Sequence, residues 1–188
     1  MPTNKIIFGF GGLMASGKGT AAKYLEEAHG AKTFRFSTML RDALDRFYLP
    51  HTRDNLIKIS EIMRSTFGED LMAKTMAHDV EHADATIVVV EGIRRMADIE
   101  YLKRLPNFVL VEIIADAKIR HTRMIERGEN PDDRTKTFEQ FLKDHERSTE
   151  MSIPEVLQYA TEKIDNNGSI NELYRQLDVL KEKYGNKN

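Results

Sequence analysis

Gly12-Leu13-Met14-Ala15-Ser16-Gly17-Lys18-Gly19-Thr20 follows the apolar run Ile6-Ile7-Phe8-Gly9-Phe10 and precedes a helical pattern. The order strand, glycine-bearing loop, Gly-Lys, helix turns a short match into a phosphate-binding loop. Backbone N–H groups of such a loop and of the helix N-terminus face bound phosphates, and Lys18 adds a point charge there. Gly12, Ala15, Ser16, Gly17, Lys18, Gly19 and Thr20 are therefore the expected phosphate-binding set. Gly19 stands where most such loops carry a magnesium-binding Ser or Thr, and Thr20, one residue late, is the expected hydroxyl ligand.

Working outward, hydrophobic periodicity alternates strands with helices. Strands are expected at Lys5–Phe10, Thr33–Phe36, Thr86–Val90, Phe108–Ile114 and Lys163–Asp165. The β-branched run at Thr86–Val90 suits a strand covered on both faces. Helices are expected from Gly17 to Ala28 and from Ser37, as cap, through Asp45. Two more, hinged near Phe67-Gly68, fill Thr52–His82, with Ile57, Ile59, Ile62, Met63, Leu71, Met72 and Met76 mostly packing. Ala117–Arg127 is helical and stops at Gly128; Glu129–Lys136 reads as a polar loop without an apolar anchor. Thr137 with Gln140, and Ser169 with Glu172, form capping boxes for a helix to about Thr149 and for a last helix. The inner stripe of that last helix is Ile170, Leu173, Tyr174, Leu177 and Leu180; Pro154 opens a short helix before the fifth strand. The pattern predicts an α/β fold of three α/β/α layers on a five-stranded parallel sheet.

The chain has 188 residues, 31% of them charged, a formal net charge of −2 and no cysteine. One domain over residues 1–188 is expected, and neither disorder nor a generically basic nucleic-acid binder fits. Thiolate metal sites and cysteine nucleophiles are excluded. No signal-peptide layout or membrane-length apolar run is present, so a cytoplasmic location is the expectation. His78-Asp79-Val80-Glu81-His82 fits a short zinc-peptidase pattern, but it offers no third ligand and reads as a solvated helix end.

The second informative stretch is Val90-Glu91-Gly92-Ile93-Arg94-Arg95. An acidic residue at the carboxyl end of a buried strand, beside a phosphate loop, can hold a magnesium-bound water. Arginines just beyond it grip a second phosphate with a fork that lysine lacks.

These motifs resemble those of the P-loop nucleoside-monophosphate kinases, the adenylate-kinase-like superfamily. Gly17-Lys18-Gly19-Thr20 matches their form of the loop, and Glu91-Gly92-Ile93-Arg94-Arg95 stands where they carry Asp-Gly-x-Pro-Arg. Ser37-Thr38-Met39-Leu40-Arg41 is similar to their acceptor segment Ser-Thr-Gly-Asp-x-Leu-Arg, and Arg123-Met124-Ile125-Glu126-Arg127-Gly128-Glu129 to their lid helix. Asp165-Asn166-Asn167-Gly168-Ser169 is the counterpart of their adenine-side turn, with Gly168 at the nucleotide. The overall likeness is closer to an archaeal group related to dephospho-CoA kinases, sharing the Gly-Ile-Arg and a short Asp-Asp lid. Ala15 replaces the central loop glycine, and Glu91 replaces Asp. Arg134, after Asp132-Asp133, stands in for a lid arginine that is missing.

The resemblance implies ATP and magnesium, with Glu91 and Thr20 at the metal, Glu91 through water. It implies an acceptor site with Ser37, Arg41, Arg94 and Arg95, a helical insert at about 38–82 and a lid at about 127–136. Phosphoryl transfer relies on positioning and charge stabilisation, so Lys18, Arg94, Arg95, Arg123, Arg127 and Arg134 are the expected catalytic set. Arg120 and Arg147 are assigned to solvated surface. The expected acceptor is a (deoxy)nucleoside monophosphate. Dephospho-CoA is the alternative acceptor, and a P-loop ATPase serving as an assembly or RNA-associated factor is the alternative class. No nucleic-acid or membrane partner is expected, and the chain is expected to be a monomer or homodimer.

Overall fold

The computed structural model describes residues 5–128, 133–145 and 151–185. β1 (Ile6–Gly11) is buried along its whole length, which only a central strand between two helical layers allows. It lies between β3 (Ile87–Glu91) and β4 (Phe108–Ile114). β2 (Lys32–Arg35) and β5 (Glu162–Asp165) form the two edges, giving the order β2-β3-β1-β4-β5 with every pairing parallel.

Alternation along β1 divides the core. Ile6, Phe8 and Phe10 pack under α1 (Lys18–His29) and the last helix, α9 (Ile170–Gly185), through Ala21, Ala22, Leu25, Leu173 and Leu177. Ile7 faces the other layer. There Val88, Val90 and Leu110 meet α2 (Phe36–Arg46), α4 (Leu71–Glu81), α5 (Met96–Glu100) and α8 (Ile153–Leu157). Full burial of one such side chain is worth ~1.5–3 kcal/mol, so the continuous apolar runs are drawn to the centre and the polar short strands to the edges. The expected three-layer α/β fold is the one observed. Among the described residues, no helix is long and apolar enough to cross a membrane.

Several local expectations need correction. α2 starts at Phe36 with Arg35 in the capping position, so Ser37 lies inside the first turn and caps nothing. Burial of Phe36 against the sheet pulls the helix start two residues earlier. In α3 (Arg53–Phe67), Leu56 and Ile59 pack inward while Ile57 and Ile62 are exposed. Only one face of that helix meets the body. Ile170 is exposed too, because it stands at the first position of α9, ahead of the buried stripe. α7 (Phe138–Asp144) opens with the Thr137–Gln140 capping box but stops at Asp144; residues 146–150, including Arg147 and Thr149, lie outside the described residues. α5, between β3 and β4, had no counterpart in the sequence pattern.

The lid expectation changes as well. Residues 129–132 lie outside the described residues. The portion that follows has an anchor, and it is polar. Asp133 is buried in a short 3-10 turn, and Lys136 Nζ donates to Asp144 Oδ2 at 2.7 Å with both side chains buried. His121 Nε2 donates to the Lys136 carbonyl at 2.8 Å, and its ring packs on Phe138 and Phe141.

Candidate active site

The loop after β1 owes its shape to backbone conformations that most residues avoid. Gly12 (φ 148°), Ala15 (φ 60°) and Gly17 (φ 103°) all have positive φ. Gly17 is required twice over. Its conformation suits glycine, and a Cβ there would land on the Asn166 side chain. Ala15 adopts the left-handed region with a Cβ present, at a cost of about 1–2 kcal/mol.

Gly17 also begins α1, whose N-terminus has no side-chain cap and no acidic residue in its first turn. Its leading N–H groups and the positive end of its dipole are thus left for an anion. Ser16 Oγ, 1% exposed, has no hydrogen-bond partner among the described residues. A buried orphan hydroxyl costs about 1–3 kcal/mol, so the loop retains polar capacity for a ligand. Lys18 Nζ folds back to the carbonyls of Gly12 and Leu13 at 2.6 and 2.9 Å. These loop features fit a polyphosphate.

Arg120, and Asn166 of the turn expected on the adenine side, hold this loop from behind. Arg120, assigned to solvated surface, is 5% exposed. Its guanidinium donates to the carbonyls of Ala115 (2.9 Å) and Met14 (3.2 Å), and to His145 Nε2 at 2.6 Å. His145 Nδ1 donates to the Phe141 carbonyl at 2.9 Å, which leaves Nε2 as the acceptor. Asn166, 4% exposed, donates from Nδ2 to the Ser16 carbonyl at 2.8 Å. Arg123 Nη1 in turn donates to the Asn166 carbonyl at 2.8 Å. The available signal was positional: Arg120 lies one turn before Arg123 on α6 (Ala117–Arg127), and Asn166 directly follows β5.

Glu91 ends β3 opposite Phe10, at the carboxyl edge where β1 gives way to the loop. Its Oε2 lies 3.5 Å from the position a Cβ on Gly19 would take. A side chain at 19 would meet Glu91 at ordinary van der Waals distance, so the strand-end acid lies beside the first turn of α1. Thr20 is exposed in the first turn of α1. A carboxylate and a hydroxyl beside a phosphate loop are hard oxygen donors of the type magnesium takes.

Of the other expected residues, Arg127 is exposed at the end of α6, and Arg134 lies across Gly128, where a Cβ would stand 2.6 Å from its Nε. Gly168 sits in the turn after β5, against the Ser169–Glu172 capping box. An open groove of about 710 Å³ runs past it along β5 and α9.

On the acceptor side, Ser37 and Arg41 are half-buried on α2, and Arg94 is exposed. The backbone N–H groups of Arg94 and Arg95 both donate to Asp98 Oδ2, at 2.9 and 3.0 Å. Burial pushes the Asp98 carboxyl above its ordinary pKa, against the pull of those N–H groups and of Arg95 and Arg64. Arg64, on α3, was not foreseen at the site. It is mostly buried and shares the Glu69 carboxylate with Arg95.

Sheet order, loop and strand-end acid define a protein of the P-loop kinase-like fold. Residues 11–158 match the model of a family described as "AAA domain", and the chain belongs to that family. UPF0200 proteins are similar over most of their length. One from Saccharolobus solfataricus is 28% identical over 171 residues, covering 90% of this chain and 88% of the relative. One from Methanoregula boonei is 29% identical over 175 residues, covering 93% and 94%. Among solved structures, shikimate kinase from Bacteroides thetaiotaomicron superposes with a TM-score of 0.62 at 14% identity, covering 95% of this chain and 97% of that one. TT1252 from Thermus thermophilus gives 0.61 at 19% identity, covering 96% and 98%. Those two likenesses are of fold.

Proposed function

We propose that this chain transfers the γ-phosphoryl group of ATP to a small nucleotide, with a ribo- or deoxynucleoside monophosphate as the acceptor, and that it works in the cytoplasm. The observation that carries this reading is the meeting of the Glu91 carboxylate with the first turn of α1 at Gly19. It puts a strand-end acid beside the phosphate loop, at the edge where the acceptor arginines also emerge.

The loop N–H groups and Lys18 bind and orient the β- and γ-phosphates. For Lys18 this means exchanging its two loop carbonyls for phosphate oxygens. Glu91 and Thr20 would hold magnesium, which when bound neutralises charge on the phosphates. Arg95 and Arg94, following β3, hold the acceptor in line. Arg127 and Arg134 close over the transferring group from the α6 side, excluding water. Arg123, already bonded to the Asn166 carbonyl, links the lid helix to the loop and positions rather than reacts.

The test is ADP release from magnesium–ATP with each ribo- and deoxyribonucleoside monophosphate, with dephospho-CoA, and with shikimate, the acceptor that two fold neighbours' names suggest. Turnover confined to nucleoside monophosphates is expected. Turnover with dephospho-CoA or shikimate alone, or ATP hydrolysis without an acceptor, overturns the acceptor assignment. Glu91→Gln should weaken the magnesium dependence of turnover more than ATP affinity, because the loop backbone still binds phosphates. A collapse of ATP affinity with unchanged magnesium dependence would assign Glu91 a structural role.

A further inference from the structure

The acceptor side holds an anion seat that the protein fills with one of its own side chains. Arg64 Nε and Arg95 Nη1 approach the same oxygen, Glu69 Oε2, at 3.8 and 3.4 Å. The three partners are held very differently. Arg64 projects from α3 and its side chain is only 16% exposed. Arg95 is set by its backbone, whose N–H is tied to Asp98 Oδ2 at 3.0 Å. Glu69, by contrast, sits in the turn after Gly68 and its side chain is 75% exposed.

Both contacts are longer than the 2.7–2.9 Å of a charge-assisted hydrogen bond. One oxygen of a singly charged carboxylate therefore serves two guanidinium groups poorly. Burial and then the neighbouring charge of Arg95 lower the pKa of Arg64, while Glu69, Asp98 and Glu61 oppose that shift. The guanidinium groups stay charged at neutral pH. The seat joins two elements and is capped by a carboxylate that water reaches, at distances too long for strong hydrogen bonds.

We propose that Glu69 is a displaceable stand-in carboxylate, and that the phosphate of the acceptor enters the Arg64–Arg95 seat by expelling it. This rests on the phosphotransferase reading for the acceptor's identity, though the seat itself does not. A phosphate dianion carries twice the charge of Glu69 and has enough oxygens to give each guanidinium its own hydrogen bonds. A monocarboxylate ligand offers little that Glu69 does not already supply, so the seat selects phosphate monoesters. The position agrees with that role. Arg95 follows Glu91 by four residues, and a Cβ added to Gly92 between them would stand 3.7 Å from Phe36 at the start of α2.

The experiment uses the full chain labelled with ¹⁵N, with the loop saturated by magnesium and a non-hydrolysable ATP analogue. Inorganic phosphate is titrated while the Nε–Hε signals of Arg64 and Arg95 are followed, assigned through Arg64→Lys and Arg95→Lys. Both signals should shift together. An exposed ion pair contributes up to about 1 kcal/mol, so Glu69→Gln and Glu69→Ala should each tighten the phosphate midpoint by about three- to fivefold. Arg64→Lys should weaken it, and affinity for the ATP analogue should stay as it is in all variants.

Unmoved Arg64 and Arg95 signals, or a midpoint that Glu69→Gln and Glu69→Ala leave unchanged or weaken, would overturn the stand-in role. If the signals respond as expected but no acceptor is turned over, the seat stands and the phosphotransferase reading falls. Turnover of a nucleoside monophosphate with silent arginine signals does the opposite: the phosphotransferase reading stands and the seat falls.

Discussion

The phosphate loop and the proposed acceptor side of the site differ in how they are held. Around the phosphate loop, charged and polar groups are buried and cross-linked. Arg120 is 5% exposed and Asn166 4%, and each is hydrogen-bonded to a loop carbonyl. On the proposed acceptor side, apolar groups face water: Phe47, Tyr48 and Leu49 beyond α2, and Ile62 and Phe67 on α3. Tyr48 even adopts a positive φ of 57° while 92% exposed. The side chains of Arg64 and Arg95 there share the exposed Glu69 carboxylate. A loop that must present N–H groups to a transferring phosphate gains from preorganisation. Helices that must admit and release an acceptor are drawn from the less stable, sparsely packed part of a fold.

Four substitutions would break or sharpen that contrast. The largest effect is expected at Lys18→Ala, which should lower turnover about 10²–10³-fold, the scale for removing one preorganised electrostatic donor. Because Lys18 also bonds two loop carbonyls, the variant should lose about 1 kcal/mol of stability as well. Single-turnover kinetics with urea unfolding separates the two. Near-normal turnover in a folded Lys18→Ala protein would sink the kinase reading.

Arg120→Met should follow, destabilising the protein by about 2–3 kcal/mol. It strips a charged donor from the Met14 and Ala115 carbonyls. If the donor side is as rigid as its bonding implies, ATP affinity should fall with the stability. A variant as stable as the wild type would show that Arg120 merely fills space.

Asp98→Asn probes the acceptor side through pH. The Asp98 pKa is raised above 3.8, so the folded state favours its neutral form. The stability that this form contributes is complete below the unfolded pKa and is lost as pH rises through the folded pKa. The wild type minus Asp98→Asn stability difference should therefore decline as pH rises from about 3.8. Urea midpoints from pH 3 to pH 7 measure it, and a difference that grows with pH would reverse the assignment.

The smallest effect belongs to Tyr48→Ser, expected within about 0.5 kcal/mol of wild-type stability. Its readout is the acceptor KM. A large loss of stability instead would show that the Phe47–Leu49 segment is packed more firmly than its exposure suggests.

Much of this was legible in the residues themselves. The unbroken apolar run at Ile87–Val90 and the glycine-lysine loop after Ile6–Phe10 carry strong local signals, since strand burial and tight turns leave few residue types acceptable. The Thr137–Gln140 and Ser169–Glu172 boxes were equally readable, each being closed within four residues. Ser37 misleads because Ser at a helix start is only a preference, and burial of Phe36 outweighs it.

The sequence by itself determined the strand-loop-helix unit, the alternation that makes a parallel sheet, and the glycine-lysine loop between β1 and α1. These depend on contacts a few residues apart. Only the tertiary structure decided which charges are buried and what they face. Arg120 reaches Met14 across 106 positions, Asn166 reaches Ser16 across 150, and Arg95 meets Glu69 across 26. No local pattern shows that Arg120 is buried or which partner each of these residues finds, because burying a charge becomes tolerable only once folding brings its distant partner to it.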